Sequence, residues 1–272
     1  MRIREWLHQA GGERLDAGLI LLGSLRQEDR SFLVAHSEDE LDDVTRKKAD
    51  GWLSRRQAGE PLAYILGERE FYGRKFMVDE RVLIPRPETE ILVEMALELG
   101  SKKIIEIGTG SGCIAVTLSL ESPQTDIIAT DIATLDVAKQ NYRRLAEKVY
   151  TRGKIEFRQA DLTQGVEKDL EKTELVIANL PYVDRNWGWN SPELKFEPAG
   201  ALFAGRNGLE TVYKLIEQLG RIWTETKGEH YLLLESDDSQ QDDIIEYAKK
   251  YGFCLAKRRK FATLLRLNLV FG

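Results

Sequence analysis

The chain has 272 residues, of which 42 % are hydrophobic and 31 % are charged, and its formal net charge is −6. This composition is typical of a soluble globular protein, and the acidic balance argues against a protein that binds nucleic acid through charge alone. Its two cysteines, Cys113 and Cys254, and its three dispersed histidines argue against a disulfide framework and a metal site.

The N-terminal part of the chain has helical character. It contains no long apolar stretch of the signal-peptide type, and no segment approaches the ~20 apolar residues of a membrane span. We therefore expect a cytoplasmic protein without a membrane partner. Residues 1–70 form the predicted helical domain. Two amphipathic helices are expected there, with inward residues Leu15, Leu19, Leu22 and Leu25 in the first and Leu41, Val44 and Trp52 in the second.

A β-hairpin is predicted to link this domain to the rest of the chain. The segment REFYGRKFMVDERVLIP has strand-type composition, with Gly73 as a possible turn, and the linker is placed at residues 71–86. Pro87 and Glu88 then suit the first turn of a helix, where acidic side chains oppose the positive end of the helix dipole.

From Lys102 onward, strand-like and helical segments alternate. Such alternation predicts an α/β fold in which helices cover both faces of a mainly parallel sheet. Seven strands are expected, and two adjacent strands at the end of the chain imply one antiparallel member. This larger domain is placed at residues 87–272.

A glycine-rich turn follows the first strand of the larger domain. Gly108, Gly110 and Gly112 form G-x-G-x-G, which permits a sharp bend and close approach of a ligand to the backbone. Asp131 ends the second strand, where a carboxylate can accept ribose hydroxyls, and Asp161 ends the third, near a possible adenine amino group. A tight strand-to-helix connection without a ligand is the alternative interpretation of the glycines.

The spacing of the glycines favours one class of nucleoside. A nicotinamide-type fingerprint, G-x-G-x-x-G, would require a third glycine where Cys113 stands. The observed spacing, with Glu106 before it, resembles motif one of class I S-adenosylmethionine-dependent methyltransferases, which have a Rossmann-like fold. This resemblance implies S-adenosylmethionine as the methyl donor.

The segment NLPY follows the fourth strand and should face the same crevice. In an open α/β sheet, ligands bind beyond the carboxyl ends of the strands. The side-chain oxygen of Asn179 and the main-chain carbonyl of Leu180 can accept the N–H groups of an amide or exocyclic amine, Pro181 stiffens the turn, and Tyr182 offers a stacking face. The alternative is an ordinary turn before a proline.

Four motifs occur in order with suitable spacing: GEPLAYILGEREFYG, VLIPRPETEILVE, EIGTGSGCIAVTL and FEPAGALFAGRNGLE. Together they resemble the peptide chain release factor glutamine methyltransferases, the PrmC/HemK family. The resemblance implies an N-terminal helical domain that recognises the substrate, a hairpin linker and a methyltransferase domain. It also implies methylation of the side-chain amide of the glutamine in the Gly-Gly-Gln motif of class 1 release factors.

The resemblance also implies roles for individual residues. Implied donor-binding residues are Gly108, Thr109, Gly110, Ser111, Gly112, Asp131, Leu162 and Asn179, besides Asp161 from the strand pattern. The implied catalytic grip on the glutamine is formed by Asn179, Leu180, Pro181 and Tyr182, and the wall of the same pocket by Pro85, Arg86, Pro87, Glu88 and Thr89. Leu180 departs from the usual NPPY of the family.

Two other functions stay open at this stage. NLPY is also usual in rRNA adenine dimethyltransferases, so an enzyme that methylates adenine or cytosine amino groups in nucleic acid is one alternative. That function predicts a large basic face, and the acidic balance of the chain argues against it. The second alternative is a non-catalytic binding module that has kept only the fold. The intact glycine turn, Asp131 and Asn179 argue against this alternative. We expect a monomer.

Overall fold

The computed structural model describes residues 1–11, 14–147, 149, 152–184, 186–187, 191–205 and 207–268. Two compact units are distinguished, Met1–Glu68 with Asn190–Phe196, and Arg69–Trp189 with Glu197–Gly272. In the described part of the chain, no helix combines the length and the apolar character needed to cross a membrane.

The first unit is helical. Its helices are α1 (Ile3–Gln9), α2 (Arg14–Leu25), α3 (Ser31–Ala35), α4 (Asp43–Gln57) and α5 (Leu62–Leu66). The buried arc of α2 is centred on Ile20 and Leu21, which are fully buried, and it includes Ala17 and Leu22. Helix α4 begins at the N-cap Asp42, whose carboxylate accepts from the main-chain N–H of Val44 and Thr45.

Two of the residues that were predicted to face inward in this unit are exposed instead, so those two predictions are wrong. Leu15 is 53 % exposed and Val44 is 79 % exposed. The helical period was correct, but the buried face of α2 is rotated toward Ala17 and Ile20, and that of α4 toward Ala49. Val44 lies in the first turn of α4, where its main-chain N–H rather than its side chain is engaged. Leu22 is buried, and Leu25 and Trp52 pack partly buried against the core of the unit.

The second unit opens with the predicted hairpin. Strand β1 (Glu68–Phe71) pairs with β2 (Arg74–Met77) in a two-stranded sheet. Gly73 in the turn has φ of 68°, a left-handed conformation that glycine adopts without steric cost. Phe71 and Phe76 from the two strands are fully buried and meet edge to face. A short 3₁₀ turn, Pro87–Thr89, then leads into α6 (Glu90–Leu99).

A seven-stranded sheet forms the centre of this unit, as predicted. The remaining strands are β3 (Lys103–Ile107), β4 (Asp126–Asp131), β5 (Ile155–Gln159), β6 (Leu175–Ala178), β7 (Tyr231–Glu235), β8 (Phe253–Arg259) and β9 (Ala262–Leu267). Their order is β5-β4-β3-β6-β7-β9-β8. All neighbouring pairs from β5 to β7 are parallel, whereas β9 is antiparallel to β7 and to β8.

Helices cover both faces of the sheet. The other helices are α7 (Cys113–Glu121), α8 (Asp136–Ala146), α9 (Glu167–Leu170), α10 (Ala199–Leu202), α11 (Glu210–Thr224) and α12 (Gln241–Lys249). Helices α6, α7 and α8 share one apolar cluster, and α9, α11 and α12 share the other. The buried strands supply both clusters because successive side chains point to opposite faces, as Ile104 and Ile105 do.

The order of the strands reverses direction between β3 and β6. The chain runs outward from β3 through β4 to β5 and then returns to place β6 on the other side of β3. Ile107 and Ala178, the last residues of β3 and β6, are paired in register. The turns that follow these two strands therefore diverge from a shared point, which is where open α/β sheets bind ligands.

Candidate active site

A cavity of about 410 Å³ opens at this point of the sheet. The residues that follow β3, β4, β5 and β6 all contribute to its lining, and they include Gly108, Asp131, Asp161 and Asn179. The sequence placed these four at the carboxyl ends of separate strands, and parallel strands bring those ends to one edge. The cavity therefore combines the glycine turn, the two acids and the NLPY segment.

The glycine turn has the backbone conformation that its sequence predicts. Gly108, Gly110 and Gly112 have φ of 79°, 53° and 81°, all in the left-handed region that disfavours other residues. The main-chain N–H groups of Gly108 and Thr109 both donate to the carbonyl of Thr130 on β4 over 2.9 Å. This pair of bonds folds the turn over the end of the neighbouring strand.

Glu106, just before the turn, is buried and holds it from within. Its Oε2 accepts hydrogen bonds from Oγ1 of Thr109 over 2.6 Å and from the main-chain N–H of Ala115 over 3.1 Å. Burial raises the pKa of this carboxyl to about 8, and the nearby charge of Asp131 acts in the same direction. Glu106 thus ties the glycine turn to the first residues of α7.

Asp131 is held by two main-chain donors. Its Oδ2 accepts from the N–H of Gly110 over 2.8 Å, and its Oδ1 accepts from the N–H of Ala133 over 2.8 Å. Each carboxylate oxygen can accept more than one hydrogen bond, so both retain capacity for a ligand hydroxyl. The acid is therefore oriented before any ligand arrives, directly beside the glycine turn.

The third strand contributes Asp161 and Leu162. Leu162 is buried, with φ of 54°, and its side chain joins the apolar core beneath the cavity. Asp161 lies 3.7 Å from the ammonium of Lys214 on α11, and both residues line the cavity. Lys214 was not predicted, because nothing in its local pattern on an amphipathic helix separates it from other exposed lysines.

The NLPY segment lies against the glycine turn. A Cβ at Gly108 would lie 3.1 Å from Cδ2 of Leu180 and 3.8 Å from the carbonyl oxygen of Asn179. Leu180 is 6 % exposed and belongs to the same apolar cluster as Ile107. The absence of a side chain at Gly108 therefore lets the two turns approach each other.

Thr89 orients the side chain of Asn179. The Nδ2 of Asn179 donates a hydrogen bond to Oγ1 of Thr89 over 3.1 Å. Thr89 is 1 % exposed, and both residues line the cavity. Because the amide nitrogen of Asn179 is engaged, its Oδ1 remains to accept a hydrogen bond from a ligand.

Tyr182 is anchored at its hydroxyl. It donates to Oε1 of Glu235 over 3.0 Å, and Glu235, the last residue of β7, is buried. Burial raises the pKa of Tyr182, and the adjacent Glu235 acts in the same direction. Glu235 was not predicted, although an acidic residue at the end of the buried strand YLLLE is a sequence signal of the same kind as Asp131.

The segment after NLPY is held by distant residues. Val183 donates its N–H to the carbonyl of Leu202 over 2.9 Å. The Nε2 of Gln240 donates to the carbonyl of Tyr182 over 2.8 Å. A Cβ on Gly208 would lie 2.1 Å from that same carbonyl oxygen, so only glycine fits there. These contacts fix the main chain around Tyr182.

The PRPET segment is fixed by a buried carboxylate. Glu197, in the FEPAG motif, accepts from the N–H of Ile84 over 3.1 Å and from Nη2 of Arg86 over 2.5 Å. The carboxylate of Glu197 is 1 % exposed, whereas the side chain of Arg86 is 34 % exposed. The pairing joins two of the motifs that the sequence analysis singled out, and Pro85, Arg86 and Thr89 line the cavity.

Most of the residues predicted for the site meet in this cavity. Its lining includes Pro85, Arg86, Thr89, Gly108, Thr109, Gly110, Ser111, Asp131, Asp161, Leu162, Asn179, Leu180 and Pro181. Four predicted residues lie outside that lining, namely Pro87, Glu88, Gly112 and Tyr182. Gly112 instead packs on α8, where a Cβ would lie 3.0 Å from the Cβ of Ala138. The FEPAG motif, in contrast, adds Pro198 and Gly200 to the lining.

Two family models match the chain. The model described as PrmC N-terminal domain matches residues 2–67, and the model described as Methyltransferase small domain matches residues 87–188. The first match lies within the helical unit, and the second runs from the 3₁₀ turn that begins at Pro87 to beyond the NLPY segment. Together they include the motifs that line the cavity from β3 to β6.

Curated relatives extend over most of the chain. A release factor glutamine methyltransferase from Koribacter versatilis (strain Ellin345) is 37 % identical over 246 residues, which are 88 % of this chain and 84 % of the relative. The protein of the same name from Burkholderia pseudomallei (strain K96243) is 35 % identical over 219 residues, 78 % of this chain and 76 % of that protein.

The fold is shared with a solved methyltransferase structure. The hMettl16 catalytic domain in complex with MAT2A 3′UTR hairpin 6 superimposes with a TM-score of 0.52 at 17 % identity. The match covers 76 % of this chain and 80 % of that one. At this level of identity the likeness establishes the architecture of the sheet and its helices, and the bound RNA is a property of that protein.

Proposed function

The chain belongs to the family of release factor glutamine methyltransferases, and we propose that it methylates the side-chain amide nitrogen of the glutamine in the Gly-Gly-Gln motif of class 1 release factors. The methyl donor is S-adenosylmethionine. The observation that carries the proposal is that Asn179 and Leu180 line the same cavity as Gly108 and Asp131. The proposed amide grip and the proposed nucleoside site therefore share one cavity.

The residues of the cavity fit the donor. Among the described residues beyond its chain neighbours, no atom lies within 4 Å of a Cβ added at Gly110, so the turn leaves open space over its backbone. The carboxylate of Asp131, oriented by two N–H groups, suits the vicinal hydroxyls of a ribose. Asp161 and Leu162 are the candidates for the adenine side of the site. When bound, the donor supplies a methyl group made electrophilic by a positively charged sulfur.

The chain's own contribution is to hold a weak nucleophile. The nitrogen of a carboxamide is planar and its lone pair is delocalised into the carbonyl. Oδ1 of Asn179 and the main-chain carbonyl of Leu180 accept its two N–H groups and thereby aim the nitrogen face at the donor side of the cavity. As the nitrogen takes the methyl group, the S–CH₃ bond would break to leave S-adenosylhomocysteine, and one N–H proton would be released to water. The two acceptors would stabilise the positive charge that develops on the nitrogen before that proton is lost.

The helical unit is the proposed recognition element for the release factor. We assign residues 1–70 to substrate recognition, residues 71–86 to the hairpin linker and residues 87–272 to methyl transfer. The match of residues 2–67 to the PrmC N-terminal domain supports this division. Because the substrate is a translation factor, the proposed location is the cytoplasm. We further propose a monomer that has no nucleic-acid partner.

A transfer assay tests the proposed function. The protein is incubated with isotopically labelled S-adenosylmethionine and a class 1 release factor, the same factor with its Gly-Gly-Gln glutamine replaced by alanine, or ribosomal RNA. We expect one labelled methyl group on the wild-type factor, located at that glutamine by mass spectrometry. Label on the RNA alone, or equal label on the two factors, would contradict the proposal.

A further inference from the structure

Glu235 is a buried carboxylate next to the amide grip but outside the cavity lining. It ends β7 and is 1 % exposed. Its Oε1 accepts from the hydroxyl of Tyr182. Its Oε2 is buried and accepts no hydrogen bond of good geometry from the described residues. A carboxylate oxygen in this position is a strong acceptor that needs a donor.

The side chains of Thr89 and Asn179 lie beside this carboxylate. Burial raises the pKa of Glu235 above its ordinary value, and the nearby side chains of Thr89 and Asn179 reduce that increase. An asparagine Nδ2 carries two hydrogens. One is donated to Oγ1 of Thr89, which leaves the second for another acceptor. Thr89 and the neighbouring Glu235 can therefore together supply acceptors for the amide nitrogen of Asn179.

We propose that Glu235 is a positioning residue that determines which end of the Asn179 carboxamide faces the substrate. A carboxylate accepts hydrogen bonds and repels the lone pairs of an amide oxygen. Glu235 therefore favours the rotamer with Nδ2 toward Thr89 and itself, which turns Oδ1 toward the cavity. If the amide were reversed, an N–H group would face the N–H groups of the substrate, and the grip would be lost. This inference rests on the proposed function.

The same carboxylate also locates Tyr182. The hydrogen bond that Glu235 accepts from the phenol holds the hydroxyl end of the ring, whereas Gln240 holds the main chain of Tyr182. Glu235 thus lies next to the side chains of both the first and the last residue of NLPY. Since Glu235 does not line the cavity, it acts through these neighbours and not by contact with the reacting atoms.

The test compares isosteric substitutions of Glu235 and Thr89, the two residues that lie next to Asn179, with a control substitution at the neighbouring Ser236. Glu235→Gln keeps the size of the side chain but places an NH₂ group against Tyr182 or against Thr89 and Asn179. Thr89→Val removes the hydroxyl that accepts from Asn179, and Thr89→Ser retains it. Ser236→Ala is the control, because Ser236 is fully buried at the same strand end and its hydroxyl has no partner among the described residues.

The readouts are kcat with a release factor, the Kd of S-adenosylhomocysteine by calorimetry, and the midpoint of thermal unfolding. We expect Glu235→Gln and Thr89→Val each to lower kcat by about 10- to 100-fold, the usual consequence of one misdirected buried hydrogen bond. The Kd should change by less than about threefold, because Asp131 and the glycine turn are untouched. Ser236→Ala should retain the wild-type kcat, and Thr89→Ser, which keeps the accepting hydroxyl, should recover most of the activity that Thr89→Val loses.

A double variant separates positioning from general disruption. If both residues act on Asn179, the Glu235→Gln, Thr89→Val protein should lose about as much kcat as the worse single variant. Unchanged kcat in Glu235→Gln, an equal loss in Ser236→Ala, or losses that multiply in the double variant would overturn the inference while the proposed function stands. A wild-type protein that does not methylate the glutamine would overturn both.

Discussion

The α-carbon of Gly208 faces the main-chain carbonyl of Tyr182 so closely that a Cβ on Gly208 would lie 2.1 Å from the oxygen. The same carbonyl accepts a hydrogen bond from Gln240 over 2.8 Å. Asn207 and Gly208, just before Leu209, therefore pack against the turn that contains the proposed amide grip. Its effect on catalysis is indirect, because it fixes the main chain that follows Leu180 and Pro181.

Replacing Gly208 by alanine should displace that turn. Gly208→Ala is expected to lower kcat by about tenfold or more, since small misplacements of a reacting group are costly. Gly165→Ala is the matched control: Gly165 has φ of +82°, close to +73° at Gly208, but its added Cβ meets no atom within 4 Å among the described residues beyond its chain neighbours. Both should lose about 1–2 kcal/mol of stability to the left-handed backbone, and Gly208→Ala should lose more because its Cβ must also displace the Tyr182 carbonyl. Equal kcat values for the two variants would contradict the proposed role.

The substitution Leu180→Ala distinguishes the contribution of the Leu180 main-chain carbonyl to the proposed grip from that of its side chain. Leu180→Ala should reduce the free energy of unfolding by about 2–5 kcal/mol, because the buried side chain leaves a cavity in the apolar core. Below its melting temperature, the variant should keep kcat within about fivefold, because the carbonyl acceptor remains. Leu219→Ala, also fully buried in that cluster, is the control for stability. A stable Leu180→Ala protein without activity would assign the catalytic role to the side chain.

Asp131 should matter for donor binding and little for transfer. In Asp131→Asn, an NH₂ group replaces one carboxylate oxygen and meets either a main-chain N–H or a ribose hydroxyl. We expect the Kd of S-adenosylhomocysteine to rise by about 10- to 100-fold, with kcat at saturating donor nearly unchanged. Asp136→Asn, whose side chain is 67 % exposed, provides the control. Calorimetry would contradict the assignment if both variants bound equally.

Glu106 makes stability depend on pH with a definite sign. Its pKa is raised from 4.5 to about 8 by burial, so the folded protein retains this proton after the unfolded chain has lost it. The stabilisation is complete below pH 4.5 and is lost as pH rises through about 8. Glu106→Gln should therefore show a smaller decrease in melting temperature between pH 5 and pH 8 than the wild type. The exposed Glu80→Gln should follow the wild type, and identical slopes in all three proteins would refute this account.

The sequence was sufficient to predict the strands and the position of the cavity at their carboxyl ends. Buried apolar runs located the sheet, and the rule that ligands bind at the carboxyl ends of parallel strands brought Gly108, Asp131, Asp161 and Asn179 together. Which face of each N-terminal helix is buried was harder to predict. Leu15 and Val44 satisfy a helical period, but which arc of an apolar helix is buried depends on the helices that pack against it.

The supporting contacts could not be predicted from local patterns. Glu235 meets Tyr182 across 53 positions of sequence, and Glu197 meets Arg86 across 111. Neither pairing follows from strand or helix periodicity, because each depends on how separate loops converge above the sheet. The sequence therefore indicated which residues line the cavity better than which residues hold those residues in place.

The central claim is that Asn179 holds the acceptor amide, and the most direct measurement compares methyl transfer with donor binding in Asn179→Ala. The single-turnover rate with a release factor and the Kd of S-adenosylhomocysteine are determined for the wild type and the variant. The account predicts that the rate falls by about 100-fold or more while the Kd changes by less than about fivefold. Comparable losses in the two quantities would show that Asn179 serves the donor instead, and the proposed grip would be wrong.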